Sequence, residues 1–271
     1  MDITSIGRRS WVLVGVGAAG IALAACGGTK APPEVRVATA AASASVSQTS
    51  ATPAAPKATA ATVASQTCAA FAQTVDPYVL RVVDKQRGLP ADYRPSDLQT
   101  IDDRWAAPGF PNEIMRAQAA SAIVEMLSAA QAQGVTLRIR SSFRSYAEQQ
   151  RTFQFWIGQL GEAQARRESA PPGNSEHQLG TTADVISANS GTGWELVEQF
   201  GALPEGKWVT AHAHEFGFAI SYPSTEAEAV TGYVWEPWHV RYIGKACAAE
   251  WKSSGLVLVR FLERLATAPA R

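Results

Sequence analysis

Two histidines and two carboxylates, in two short stretches, are the residues of this chain best suited to chemistry. Ser175–Asp184 reads Ser-Glu-His-Gln-Leu-Gly-Thr-Thr-Ala-Asp, and further on stands Glu236-Pro-Trp-His239. His177, Asp184 and His239 supply two imidazoles and a carboxylate. That is a usual ligand set for a catalytic zinc, with the fourth position left for water. Glu236, three residues before His239, is placed to handle a proton on such a water. Gly180 lies between His177 and Asp184 and permits the tight turn that would aim both side chains at one point. Pro237 disfavours a helical conformation at Glu236, so this second stretch is expected to be extended or bent rather than a helical zinc motif. His212 and His214, at i and i+2, would face different ways on a helix and are not expected to share a metal.

The surrounding pattern must position these groups. Phe71 to Leu89 has helical spacing interrupted by Pro77, and 93–105 reads as irregular. Asn112 to Gln133 is the clearest helix: Asn112 is a candidate cap, Met115, Ala119, Ile123, Met126, Leu127 and Ala130 form a stripe, and Gly134 can close it. Val135–Arg140 alternates and reads as a strand, with Leu137 and Ile139 pointing one way. Ser145-Tyr-Ala-Glu148 is a capping box opening the next helix. Ala183–Ile186 is expected to be a short strand carrying Asp184. Lys207–Phe216 reads as a helix that Gly217 can end. Phe218–Tyr222 and Tyr233–Trp235 read as strands, and 244–265 as one or two helices. Helices and strands mix without regular alternation, so the class is α+β.

Length and composition bound the rest. The chain has 271 residues, with Lys+Arg and Asp+Glu equal at 24 each. No polybasic tract is present, which argues against nucleic acid as a partner. Arg8-Arg9 followed by an apolar run from Trp11 to Ala25 reads as an export signal, too short to span a bilayer comfortably. Its end, Leu23-Ala24-Ala25-Cys26-Gly27, resembles the bacterial lipoprotein cleavage box. By that resemblance residues 1–25 are a lipoprotein signal peptide and Cys26 carries the lipid; an ordinary secretory signal is the alternative. Arg8-Arg9-Ser10-Trp11 is also loosely similar to a twin-arginine signal, so the export route stays open. Residues 26–66 are rich in Ala, Thr, Ser and Pro and poor in large apolar residues, the composition of a disordered linker. A coil of that length spans roughly 30–40 Å on average, enough to tether a domain at 67–271 to the outer face of the membrane. The two remaining cysteines, Cys68 and Cys247, invite a disulfide in an exported protein, with two separate buried thiols as the alternative.

Taken together, the two stretches resemble the metal motifs of the VanY-type D-alanyl-D-alanine carboxypeptidases, a family that includes LD-carboxypeptidases. The resemblance runs through Ser141-Ser-Phe-Arg-Ser-Tyr-Ala-Glu-Gln149, Pro172-Gly173, Glu205-Gly-Lys-Trp208, Glu215-Phe-Gly-Phe218 and Gly232–Gly244, and covers about residues 112–265. It implies a small, mainly antiparallel sheet flanked by helices, with an open zinc cleft. It implies one Zn²⁺ on His177, Asp184 and His239, Glu236 as general base, and Arg144 at the reacting carbonyl or the substrate carboxylate. Ser175 and Gln149 match positions lining the substrate site. Trp238 is a candidate cleft wall, with a core role as the equal alternative, and Arg241 is read as an ion pair ahead of a substrate contact. The family often has Arg where this chain has Ser221, which bears on substrate preference. The implied activity is removal of the terminal D-alanine from peptidoglycan stem peptides by a monomeric, lipid-anchored enzyme of the cell envelope. D,D cleavage of pentapeptides is placed ahead of L,D cleavage of tetrapeptides. A wall-binding lipoprotein without turnover is the rival of another class, and Glu236 argues against it, since a binding module needs no base there.

Overall fold

Four antiparallel strands form the sheet on which the candidate residues stand. The structure is a computed structural model and describes residues 67–189 and 195–267. The expected signal peptide, Cys26 and linker lie outside the described residues.

In chain order the helices are α1 (Cys68–Thr74), α2 (Ala117–Ala132), α3 (Tyr146–Leu160), α4 (Glu162–Glu168), α5 (Pro204–His212), α6 (Glu228–Thr231), α7 (Lys245–Ser254) and α8 (Leu258–Thr267). The strands are β1 (Leu98–Thr100), β2 (Ile114–Arg116), β3 (Leu137–Ser141), β4 (Thr182–Ser187), β5 (Phe218–Ile220) and β6 (His239–Tyr242). β1 and β2 form a separate antiparallel pair, and the larger sheet has the order β3-β4-β6-β5. The mixture of segregated helices and antiparallel strands is α+β, as the sequence pattern requires.

The sheet has two differently used faces, because successive side chains on a strand alternate. Leu137, Ile139, Val185, Val240, Phe218 and Ile220 belong to the main core, with Ile123, Met126 and Leu127 of α2 and Ala248 and Trp251 of α7. The other face carries Asp184, which pairs directly with His239 across β4 and β6. All six residues of β4 are buried, so Asp184 comes from a strand covered on both sides. Each fully buried large aliphatic of the core contributes about 1.5–3 kcal/mol, and this side of the sheet holds the other in place.

Several expected elements shift. The helix expected from Asn112 begins at Ala117. Asn112 has φ 64° and caps nothing; its N–H donates to Asp103 Oδ1 at 2.8 Å. Residues 114–116 instead pair with 98–100, so the stretch read as irregular contains a strand. Tyr233–Trp235 is not a strand; the fourth strand of the sheet is His239–Tyr242 itself. The helix expected over 207–216 is an α-helix to His212 followed by a 3₁₀ turn, Ala213–Phe216, which Gly217 ends in the left-handed conformation at φ 92°. The capping box at Ser145 and Glu148 forms with both of its hydrogen bonds. Cys68 and Cys247 are joined by a disulfide that ties α1 to α7. Among the described residues no helix is long and apolar enough to cross a membrane.

Candidate metal centre

His177 reaches the sheet from a 3₁₀ turn, Glu176–Leu179, that runs directly into β4. Ser175 caps this turn, its hydroxyl accepting from the His177 N–H at 3.3 Å. Gly180 ends it at φ 71°, a conformation open to glycine at little cost. A Cβ there would also lie 3.0 Å from the side chains of Arg116 and Leu98. The turn is held from outside by Arg116, whose N–H donates to the Gly180 carbonyl at 2.8 Å. The Arg116 guanidinium in turn bridges Asp76 at 2.7 Å and Asp97 at 2.8 Å.

The structure brings together all three residues read as ligands. One donor atom from each of His177, Asp184 and His239 lies within 4.8 Å of the other two, and all three residues are buried. His177 Nε2 is 3.3 Å from Asp184 Oδ2, and His239 Nδ1 is 3.3 Å from Asp184 Oδ1. The far nitrogen of each ring is engaged by an acceptor, which leaves the near nitrogen as the one each ring can offer to a metal. His177 Nδ1 donates to the Ser142 carbonyl at 2.6 Å. His239 Nε2 donates to Glu176 Oε2 at 3.0 Å. The remaining nitrogens, His177 Nε2 and His239 Nδ1, both face Asp184. Asp184 Oδ1 is buried and makes no hydrogen bond, although buried carboxylate oxygens normally do. Two oriented ring nitrogens and a buried, unsatisfied carboxylate oxygen fit a zinc ion, which would displace any proton from between them: the donor types are right, and the outer partners orient the rings as at zinc sites.

Electrostatics point the same way. Burial alone would raise the Asp184 carboxyl, but the His177 and His239 imidazoles overcome it and hold the group below the usual carboxylate range. Burial would likewise lower His239, yet Asp184, Glu176 and Glu236 outweigh it and favour positive charge on the ring. The carboxylates thus create a field suited to a cation at this point.

Glu236 stands beside the ligands, with Oε2 3.4 Å from His239 Nδ1. Its N–H donates to the Tyr222 carbonyl at 3.0 Å, and the His239 N–H donates back to its own carbonyl at 3.2 Å. The segment is thus the bent one that Pro237 requires. Burial pushes the Glu236 carboxyl up from its ordinary value, with His239 opposing, which makes the group a better proton acceptor when ionised. Arg144 is fixed by two bonds of its own, Nη1 to Gln149 Oε1 at 2.8 Å and Nη2 to Ser141 Oγ at 3.0 Å.

Two expected substrate contacts have other work. Gln149 is buried, and its amide is used within the protein: Oε1 receives Arg144 and Nε2 donates to the Ala170 carbonyl at 2.7 Å. It positions Arg144. Trp238 packs in the main core, which corrects its reading as a cleft wall. His212 and His214 are not part of the ligand cluster; His212 meets Glu215 at 2.9 Å.

Glu176 is the residue the sequence reading missed. It binds His239, accepts from Ser221 Oγ at 2.6 Å and pairs with Arg241 Nη1 at 2.6 Å. Burial opposes its ionisation, but Arg241, His239 and Ser221 bring its pKa down to about 2. Arg241 is fully buried and also donates to the Val79 and Arg81 carbonyls at 3.2 and 2.5 Å, so it is an ion pair as read. A signal existed: Arg241 follows His239 by two on a strand, so both share one face.

Comparison with known proteins agrees with this geometry. Residues 112–245 match the family model described as VanY, D-alanyl-D-alanine carboxypeptidase. The chain is 38% identical over 188 residues to the putative carboxypeptidase YodJ of Bacillus subtilis (strain 168), covering 69% of this chain and 68% of that protein. It superposes on the LdcB LD-carboxypeptidase with TM-score 0.62 at 38% identity, covering 68% of this chain and 86% of the other. It superposes on the vancomycin resistance D,D-pentapeptidase VanY from a VanB-type cassette, solved as a mutant in complex with Zn(II), with TM-score 0.57 at 27% identity, covering 68% and 99%. A fold, a clustered ligand set and these likenesses converge on one conclusion: the chain is a carboxypeptidase of the VanY family.

Proposed function

We propose that the chain is a zinc-dependent carboxypeptidase that releases the terminal D-alanine from peptidoglycan stem peptides. The observation that carries this is the ligand triad with Glu236 beside it: two imidazole nitrogens and a buried carboxylate converge, and a base stands 3.4 Å from one ligand. Zinc held by His177, Asp184 and His239 would supply a water of lowered pKa and a Lewis acid for the carbonyl. Glu236 takes the proton of the attacking water and returns one to the leaving amine nitrogen. Arg144, locked by Ser141 and Gln149, presents a fixed positive charge to the carbonyl oxygen or to the terminal carboxylate. Ser175 holds the His177 turn, and a hydrogen bond from its hydroxyl to the substrate is part of this proposal. The presence of Glu236 favours an enzyme over a wall-binding module.

The family model supports D,D cleavage of pentapeptides. The higher identity to LdcB, 38% against 27% for the D,D-pentapeptidase, supports L,D cleavage of tetrapeptides by the same residues. Incubating the zinc-loaded protein with each peptide and measuring D-alanine decides. Release from pentapeptide alone gives a D,D-carboxypeptidase, and release from tetrapeptide alone an LD-carboxypeptidase. Release from neither by the zinc-loaded protein contradicts the proposal.

The proposed location is the outer face of the cell membrane, through a lipid on Cys26, with the protein acting as a monomer. The cleavage box Leu23-Ala24-Ala25-Cys26 supports it. Labelled palmitate should enter the wild-type protein and not the Cys26→Ser variant; equal labelling of both contradicts the anchor.

A further inference from the structure

A carboxylate outside both the ligand set and the proposed chemistry is linked to His177 through a single serine. Glu113 directly precedes β2, and its carbonyl accepts the Ile101 N–H at 2.8 Å. Its side chain is half-buried, and its Oε2 accepts the hydrogen of the Ser142 hydroxyl. Ser142 is buried, and its Oγ also accepts the Ile114 N–H at 2.9 Å. A hydroxyl has one hydrogen to give; with Ile114 donating to Oγ, that hydrogen goes to Glu113. Burial pushes the Glu113 carboxyl up from its ordinary value and the Ser142 hydroxyl opposes this, with Asp184, Arg140 and Arg144 acting on it as well.

The peptide between Ser142 and Phe143 carries this link to the metal centre. In a trans peptide the C=O and N–H point opposite ways. Here the carbonyl accepts the His177 Nδ1 proton at 2.6 Å, and the Phe143 N–H donates to the Ile114 carbonyl at 3.0 Å. The His177 ring and residues 113–114 therefore grip one rigid plane from opposite sides. The next residue, Arg144, donates its N–H to the His177 carbonyl at 3.3 Å. At the other end of β2, the Arg116 N–H holds the Gly180 carbonyl. Residues 113–116 thus brace the metal turn at its His177 end and at its Gly180 end. The outer partner of a ligating imidazole sets the orientation of the ring, so what fixes the Ser142 carbonyl bears on the metal.

We propose that Glu113 is a positioning residue of the metal centre. Through the Ser142 hydroxyl it fixes the peptide that orients the His177 ring and leads into Arg144. This rests on the zinc carboxypeptidase reading and adds to it a residue outside the ligand set.

The test uses the full-length protein and readouts besides turnover. Competition with a chelator measures zinc affinity. NMR of the zinc-loaded protein follows the His177 Nδ1 and His239 Nε2 protons. Glu113→Ala should weaken zinc binding about tenfold and speed solvent exchange of the His177 proton. The His239 proton, held by Glu176, should exchange as in the wild type. Ser142→Ala should act alike, and the double variant should be no weaker than either single one, because both cut the same link. Glu113→Gln keeps an acceptor for the hydroxyl and should recover most of the affinity. If Ser142→Ala does not fold, the Ala and Gln variants of Glu113 decide. Wild-type zinc affinity and His177 exchange in Glu113→Ala overturn the proposal. So do equal acceleration of both ring protons and losses that add in the double variant. Release of D-alanine by the wild type is measured alongside. Its absence, with the selective loosening of His177 intact, would sink the carboxypeptidase reading and leave the role of Glu113 standing.

Discussion

His239 is gripped from both ends, and that grip turns two weak sequence signals into one site. Glu176 receives its Nε2 proton and leaves Nδ1 for Asp184 and a metal. Glu176 is itself saturated by Ser221 and Arg241. Replacing it with Gln removes one charge of a buried pair and leaves Arg241 unbalanced. The expected result is a loss of zinc affinity of about 10–100-fold, read by competition with a chelator. Breaking such a buried pair also costs about 3–5 kcal/mol of stability. Unchanged zinc affinity in Glu176→Gln would show that the contact does not orient the ring.

At the scale of elements, β4 and β6 set Asp184 and His239 side by side, and the turn before β4 brings in His177. The disulfide acts further away. Cys68 and Cys247 close a loop across a sequence separation of 179 residues, so its loss should free much chain entropy in the unfolded state. The double variant Cys68→Ser/Cys247→Ser is expected to lose about 2–5 kcal/mol in denaturant unfolding, with its ligand set intact; equal stability would contradict this. Legibility in the sequence follows the range of the interactions. The capping box at Ser145, the stripe on α2 and the alternation of β3 are local, and they read correctly. The start of α2 did not, because residues 114–116 are drawn into pairing with 98–100. Tyr233–Trp235 has strand composition, yet the sheet takes 239–242, because pairing with β4 places His239 opposite Asp184. The ligand residues were legible because chemistry restricts their types. Glu176 was not, since its partners Ser221 and Arg241 lie 45 and 65 residues away.

For the whole molecule, the outer ion pairs tie loops to the metal turn and give stability a pH dependence. The Arg116 guanidinium lowers the Asp76 carboxyl below its ordinary value, against burial. A depressed folded-state pKa stabilises above the unfolded value and is lost as pH falls through the folded one. Melting temperature should therefore fall below about pH 4, and Arg116→Ala should flatten part of that acid limb. An acid limb identical in the variant would exclude the pair as a cause. The central claim, that a metal on His177, Asp184 and His239 works with Glu236 as base, is tested most directly by D-alanine release from stem peptides before and after chelation. The account predicts that release disappears with chelator and returns with zinc. It also predicts that Glu236→Ala binds zinc like the parent while turning over about 10²–10⁴-fold more slowly. Release that survives full metal removal, or a Glu236→Ala variant as active as the parent, would contradict it.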